Sequence, residues 1–401
     1  MLTSTLGQSE KLQERLHAVA LLVSCLLGAT ACAQAADTQI GDVSEGVLAE
    51  GAWQANGRGG HVREYFIAAE EELWDYAPTG MNQMSGMPFT EEEDVFVGRG
   101  PDRIGSTYLK ALYHQYTDAR FDKRKPRPAE WQHLGLLGPV IQAEVGDSIV
   151  VHFLNRTSRP LSIHAHGVFY EKDSEGSPYA DGTSGDDKHD DAVPAGQAYD
   201  YYYEVPERAG PGPDDGPSVL WLYHSHTDEI ADTYSGLVGA MIITAHGQAR
   251  RNGSPRDIDR QFVTAYWVMD ENQSPYLEDN VEAFAEDPAS VDPEDEDFGE
   301  SNLMHAINGY VYGNQPGLDM RVGERVRWYA LGMGTEVDLH TPHWHGNTVL
   351  VGESRQDTIQ VFPATVVAAD MVPDNAGTWM FHCHVNDHIS AGMMSLYRVA
   401  P

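Results

Sequence analysis

After the first three dozen residues, the apolar positions fall into short alternating runs. Ser148–Asn155, Tyr199–Val205, Leu237–Thr244, Gln261–Val268 and Arg325–Ala330 are rich in β-branched and aromatic residues and are bounded by Gly, Pro, Asn or Asp. They read as strands. No later segment longer than two or three turns keeps a helical period, which predicts an all-β chain of sandwiches or barrels. One pattern occurs twice. Glu144-Val-Gly-Asp-Ser-Ile-Val-Val-His152 parallels Arg321-Val-Gly-Glu-Arg-Val-Arg-Trp-Tyr329, and two histidine clusters follow each copy. The repeat predicts two related β-barrels, and 401 residues suit two cores of about 150 residues better than one. The polar stretch Ala245 to Arg260, with Gly247, Gly253 and Pro255, places the domains at 52–248 and 258–401. Ala285 to Glu300 reads as an acidic surface loop.

Composition adds three points. Lys11 and Arg15, an apolar stretch from Ala18 to Cys32, and Ala33-Gln34-Ala35 read as an export signal over residues 1–35. A periplasmic or extracellular destination follows, with lipidation of Cys32 as an alternative and no membrane span expected in the mature chain. Removing the signal takes Cys25 and Cys32 with it, so Cys383 is left alone and no intrachain disulfide can form. Finally, 26 Lys+Arg face 61 Asp+Glu, a net charge of -35. Such a surface repels nucleic acid and attracts cations, metal ions included. Most of these carboxylates need no role beyond solvation.

The chemistry lies in the histidines. Four His-x-His pairs occur, at His164/His166, His224/His226, His343/His345 and His382/His384, and they hold 8 of the 18 histidines. Residues two apart on a strand share a face, so each pair offers two imidazoles to one metal cluster. A single such pair could be a surface accident; four over two related barrels argue for metal. His382-Cys383-His384, then His388 and Met393, with His340 upstream, supply one thiolate, two imidazoles and a thioether. This is the donor set of a blue (type 1) copper site at His340, Cys383, His388 and Met393. Strand alternation turns Cys383 to one face and its neighbours His382 and His384 to the other. The first half lacks this set, because Leu161, Ser225, Ile230 and Ser235 occupy the matching positions.

With these residues in view, the chain resembles the multicopper oxidases, and their ceruloplasmin and hephaestin branch more than the plant or fungal laccases. The resemblance rests on Glu64-Tyr-Phe-Ile-Ala-Ala-Glu-Glu71, Arg124-Lys-Pro-Arg-Pro128, Leu134-Gly-Leu-Leu-Gly-Pro-Val140, His166-Gly-Val-Phe-Tyr-Glu-Lys-Asp-Ser-Glu-Gly176, Tyr223-His-Ser-His226, Asp270-Glu-Asn272 and Met304-His-Ala-Ile-Asn-Gly309. It implies two cupredoxin-like Greek-key β-barrels and four coppers per chain. In the family pattern His164 and His343 hold type 2 copper, and His166, His224, His226, His345, His382 and His384 hold the type 3 pair. Ceruloplasmin-like proteins have six such domains. Two-domain relatives build the three-copper cluster between neighbouring chains, so the resemblance implies a homotrimer.

The same resemblance implies one-electron oxidation of a reductant coupled to reduction of dioxygen to water. Glu300, His305, Glu336 and Asp387 match an iron-oxidising site, which makes Fe(II) the expected reductant. Hard carboxylate oxygens bind ferric iron more strongly than ferrous and so ease its oxidation. Laccase-like oxidation of phenols is the alternative. A coagulation-factor-like binding protein is the non-enzymatic reading, and the full set of copper ligands counts against it. A copper nitrite reductase needs fewer histidines. Lys172, Asp187, Asp190 and Asp191 resemble a calcium-binding loop of the related proteins.

Overall fold

A computed structural model describes residues 60–401; the predicted export signal, with Cys25 and Cys32, and the start of the first predicted domain lie outside the described residues. The first half contributes β1 (Val62–Asp75), β2 (Thr107–Tyr116), β3 (Ile141–Glu144), β4 (Ser148–Asn155), β5 (His164–Ala165), β6 (Ala198–Glu204), β7 (Ser218–His224) and β8 (Val238–Thr244). The second contributes β9 (Arg260–Asp270), β10 (Leu303–Ile307), β11 (Asp319–Arg321), β12 (Val326–Gly332), β13 (Pro342–Trp344), β14 (Val349–Val351), β15 (Ser354–Gln356), β16 (Val366–Met371), β17 (Gly377–Cys383) and β18 (Met394–Ala400). All five predicted strands are present, displaced by no more than two residues at any end.

The repeat read from the sequence is a repeat of topology. The first half has sheets ordered β2-β1-β4-β6 and β3-β8-β7-β5; the second has β10-β9-β12-β16, lengthened by β14 and β15, and β11-β18-β17-β13. The two repeated segments lead into β4 and β12. Each of these strands pairs in parallel with the strand that opens its half, and antiparallel with the next in its sheet. Equivalent residues therefore occupy equivalent places, His164 opposite His224 and His343 opposite His382.

A small cluster of Ala68, Tyr116 and Phe121 apart, three apolar cores hold the chain together. One fills the first half, one the second, and a third joins them by packing Tyr76, Leu137 and Leu222 with Trp267, Met304 and Leu331. Each fully buried large apolar side chain contributes about 1.5–3 kcal/mol. The polar stretch after β8 is packed rather than loose, because Ala249, Ser254 and Ile258 are buried.

Helices are few and short: α1 (Asp94–Val97), α2 (Glu229–Ser235), α3 (Leu277–Phe284), α4 (Glu296–Ser301) and α5 (Asn386–Ser390). One of them corrects the expectation of a loop through Glu300. Asp295 caps α4 by accepting the N–H groups of Asp297 and Phe298 at 2.9 and 3.2 Å, and Phe298 is buried in the joining core. A local cap and one apolar anchor suffice to order an otherwise acidic stretch. Among the described residues no helix is long and apolar enough to cross a membrane.

Candidate metal centres

Strand β17 runs into the second core and ends there. Phe381 and Cys383 face that core, and the chain then turns through α5 to bring His388 back to the sulfur. Cys383 Sγ lies 3.5 Å from His388 Nδ1 and 3.9 Å from His340 Nδ1, and all three residues are buried. Two ligands of one ion, each about 2.0–2.3 Å from it, stand roughly this far apart, so the three atoms fit a shared metal. Met393 is fully buried in the same core, and its N–H donates to the His388 carbonyl at 2.8 Å. Gly392, just before it, has φ 107°, and a Cβ there would sit 3.0 Å from the Tyr312 ring. Only glycine suits this approach. Burial pushes the Cys383 thiol up, so a cation is needed to hold the thiolate form.

Asp338 orients the site, and the sequence reading missed it. The segment before His340 alternates: Val337 and Leu339 are exposed, while Asp338 and His340 are buried. Asp338 Oδ1 lies 3.0 Å from His340 Nε2 and also accepts the Val268 N–H at 2.7 Å, and Oδ2 accepts the Thr335 N–H. With its proton held on Nε2, His340 presents the Nδ1 lone pair to the sulfur side. An acidic residue two before a ligand histidine was the available signal.

The eight paired histidines form two quartets. In the first, His166 Nε2 and His224 Nε2 are 3.1 Å apart and the contacting ring centroids lie 5.2–5.6 Å apart. The second repeats this, with His345 Nε2 and His382 Nε2 at 3.1 Å and centroids 4.8–5.5 Å apart. Backbone carbonyls sit against the other nitrogen, Nδ1, of His164, His224, His343 and His382. Each of these rings therefore turns Nε2 toward its cluster. Burial foremost pushes His166, His224 and His382 down to about 4, which keeps them neutral and able to ligate. Among the described residues every ring contact of a quartet histidine with another histidine stays within its own quartet. His345 and His384 are exposed, and His164, His166, His226 and His343 half-buried, so both quartets open to solvent.

In the first half the place of the sulfur site is filled by packing. Ser225 donates to Asp232 Oδ2 at 2.6 Å, Leu161 and Ser235 are buried, and Ile230 points outward. Of the residues matched to iron, His305 and Asp387 stand beside the sulfur site, and the four do not close into one set. His305, on β10, is buried, and its ring lies 5.3 Å from that of His388. Asp387 is the exposed neighbour of His388, while Glu336 and Glu300 are exposed in the loop before Asp338 and in α4. Among the described residues, three His, Cys, Asp or Glu donors fall within 4.8 Å of one another only at His340/Cys383/His388 and His343/His345/His382. At the calcium-like stretch Asp190 is buried, one oxygen accepting the Gly176 N–H at 2.6 Å and the other having no partner. Burial, opposed by that N–H and reinforced by Asp191, pushes its carboxyl up to about 6. Lys188 is paired with Asp191 and Asp181, the Lys172 ammonium with Glu175 and Asp181, and Asp187 is exposed.

Two family profiles, each described as Multicopper oxidase, match residues 114–248 and 285–401. Human Ferroxidase HEPHL1 is 47% identical over 341 residues, 84% of this chain and 29% of that protein. Rat hephaestin is 44% identical over 344 residues, 85% of this chain and 30% of that protein, and mouse ceruloplasmin 43% over 337, 84% and 31%. The chain thus spans less than a third of the length of these curated relatives. The solved Multicopper Oxidase mgLAC aligns with a TM-score of 0.52 at 19% identity, covering 84% of this chain and 86% of its own, which shows the cupredoxin-like fold. On its profiles, its relatives and its doubled sheet topology, this chain belongs to the multicopper oxidase family.

Proposed function

We propose that this chain is a ferroxidase that couples oxidation of Fe(II) to reduction of dioxygen. The observation that carries the reading is the buried His340–Cys383–His388 set, whose cysteine is bonded through the backbone to a histidine of the second quartet on either side. His340, Cys383, His388 and Met393 would hold type 1 copper; His164 and His343 type 2; and His166, His224, His226, His345, His382 and His384 the type 3 pair. Copper at these donors supplies one-electron transfer and the four-electron reduction of dioxygen to two waters. The protein supplies the connection. The Thr341 N–H donates to the Cys383 sulfur at 3.4 Å, and His382 Nδ1 lies 2.7 Å from the Cys383 carbonyl, linking thiolate side and cluster side within one peptide unit.

For the reductant, relatives named ferroxidase and the exposed Asp387 beside His388 favour iron. His305, Asp387, Glu336 and Glu300 would receive Fe(II) from an acidic surface, with hard oxygens favouring the ferric product. Replacing Glu336 and Asp387 together by Ala should lower kcat/KM for Fe(II) at least about tenfold, the usual scale for loss of supporting ligands. Oxidation of a bulky phenol, which needs only an exposed edge near His388, should persist. Steady-state rates with both donors at equal copper content check this. Unchanged efficiency with Fe(II) would leave the laccase-like reading.

The cluster is proposed to form between chains, in a closed homotrimer. Two separate quartets, each open to solvent, support this reading. Light scattering alongside copper analysis should find activity and cluster copper lost together when the assembly is broken into monomers. A fully active monomer would exclude the trimer. Calcium at Asp187, Asp190, Asp191 and the Lys172 carbonyl would satisfy the unpartnered Asp190 oxygen. Export to the periplasm or outside the cell fits a signal over residues 1–35, with a lipid anchor at Cys32 as the variant reading.

A further inference from the structure

The loop after β1 carries a pattern that none of these roles uses. Met81, Met84 and Met87 are spaced three apart, placing 3 of the chain's 13 methionines within seven residues. Seven of the others lie in the cores, where an adaptable apolar side chain is expected. These three do not. Met81 and Met84 are half-buried, and Met87, at 61%, is the one exposed methionine among the described residues.

The loop is built rather than slack. The Asn82 N–H donates to the Met87 carbonyl at 3.0 Å and the Gly86 N–H returns to the Asn82 carbonyl at 2.9 Å, closing a ring of six residues. Inside it Asn82 Oδ1 accepts the N–H groups of Met84 and Ser85, and Asn82 Nδ2 donates to Glu93 at 2.7 Å. Gly86, at φ 69°, makes the turn. Met84 and Met87 therefore leave one small, hydrogen-bonded frame, and Met81 is the residue that leads into it. Flexible methionine side chains can converge from such a frame on one ion.

The loop is also fixed beside the sulfur site. The Gln83 N–H donates to the Tyr312 carbonyl, the Tyr312 N–H to Gly392, and the Gly313 N–H to Met394, at 2.8–2.9 Å. Gly392 and Met394 flank Met393. Met84 packs on Gly313, where a Cβ would meet its sulfur at 2.7 Å, and Phe89 packs on Tyr312 with centroids 5.5 Å apart. Two hydrogen bonds in series separate the loop from the segment that carries His388 and Met393.

We propose that Met81, Met84 and Met87 form a capture site for a monovalent soft metal ion, namely Cu(I), that feeds the His340–Cys383–His388–Met393 donors. Thioether sulfur selects Cu(I) over hard divalent ions, and the net charge of -35 draws any cation to the surface. The step is ligand exchange: copper stays monovalent, and thioether bonds give way to thiolate and imidazole bonds as the thiol proton leaves to solvent. The site does not depend on which reductant the enzyme oxidises.

The probe is Ag(I), which has the charge and softness of Cu(I) and is not oxidised by air. Calorimetric titration of the copper-free full chain should show one more equivalent of Ag(I) than the Met81→Leu/Met84→Leu/Met87→Leu variant, with Zn(II) uptake unchanged. Because Met84 packs against Gly313, Met87→Leu serves as the second variant. It should weaken that equivalent about tenfold or more while leaving Tm unchanged. In samples loaded with Cu(I) for set times and then oxidised in air, the triple variant should reach the same final blue absorption more slowly. Equal Ag(I) stoichiometry and affinity in the wild type and both variants would overturn the site, and an equal filling rate would overturn its role in delivery.

Discussion

Replacing Cys383 by Ser should abolish the intense blue absorption of the copper-loaded protein and reduce turnover to background, while the eight paired imidazoles still take up metal. Thiolate-to-copper charge transfer needs sulfur, and a serine hydroxyl at this fully buried position is a harder, far less easily ionised donor. The Thr341 N–H that now points at Sγ would face a neutral oxygen. Neither quartet contains residue 383, so copper content should fall by one of the four expected per chain. Visible absorption, copper analysis and oxygen consumption on one preparation check the three statements together. Blue colour kept at full strength would remove Cys383 from the site, and with it the connection proposed between the sulfur set and His382 and His384.

The parts of the site that were legible in the sequence are those governed by local period. His-x-His spacing on a strand puts two imidazoles on one face wherever the strand lies, so all four pairs could be read before any fold was known. The segments at Glu144 and Arg321 predicted a doubled architecture because β4 and β12 have the same neighbours, parallel on one side and antiparallel on the other. The substitutions at Leu161, Ser225, Ile230 and Ser235 followed from the same register, and Ser225 is now seen bound to Asp232.

What escaped was set by distance or by a single capping bond. Asp338 looked like one more carboxylate among 61 Asp+Glu until the backbone buried it against His340. Helix α4 depends on Asp295 and one buried phenylalanine, too short a signal for a period. The joining core brings Tyr76 to Trp267 across nearly two hundred positions, and no local pattern encodes that pairing. The separation of the two quartets is likewise a property of the assembled halves.

The last expected result concerns that junction, where Lys110 on β2 and Glu271 just after β9 form an ion pair with both side chains fully buried. Lys110 also donates to the Tyr234 carbonyl at 2.8 Å and to Tyr76 Oη at 3.1 Å, and Tyr76 in turn donates to Glu271. Burial lowers the lysine and raises the carboxyl, each away from its charged form, and each partner restrains the other. Glu271 Oε2 has no partner, so the geometry leaves part of the cost of burying the carboxylate unmet. Breaking the pair should therefore be worse than removing it. Glu271→Gln strands an ammonium between the halves and should cost about 3–5 kcal/mol, with the melting temperature falling by roughly 5–15 °C. Lys110→Met combined with Glu271→Leu replaces both charges with apolar groups of similar size and should lie within about 1 kcal/mol of wild type or above it. Calorimetry on the two variants and the parent decides the case. A double variant as unstable as Glu271→Gln would mean that the junction depends on the ion pair itself, and not on the apolar packing of Tyr76, Trp267 and their neighbours.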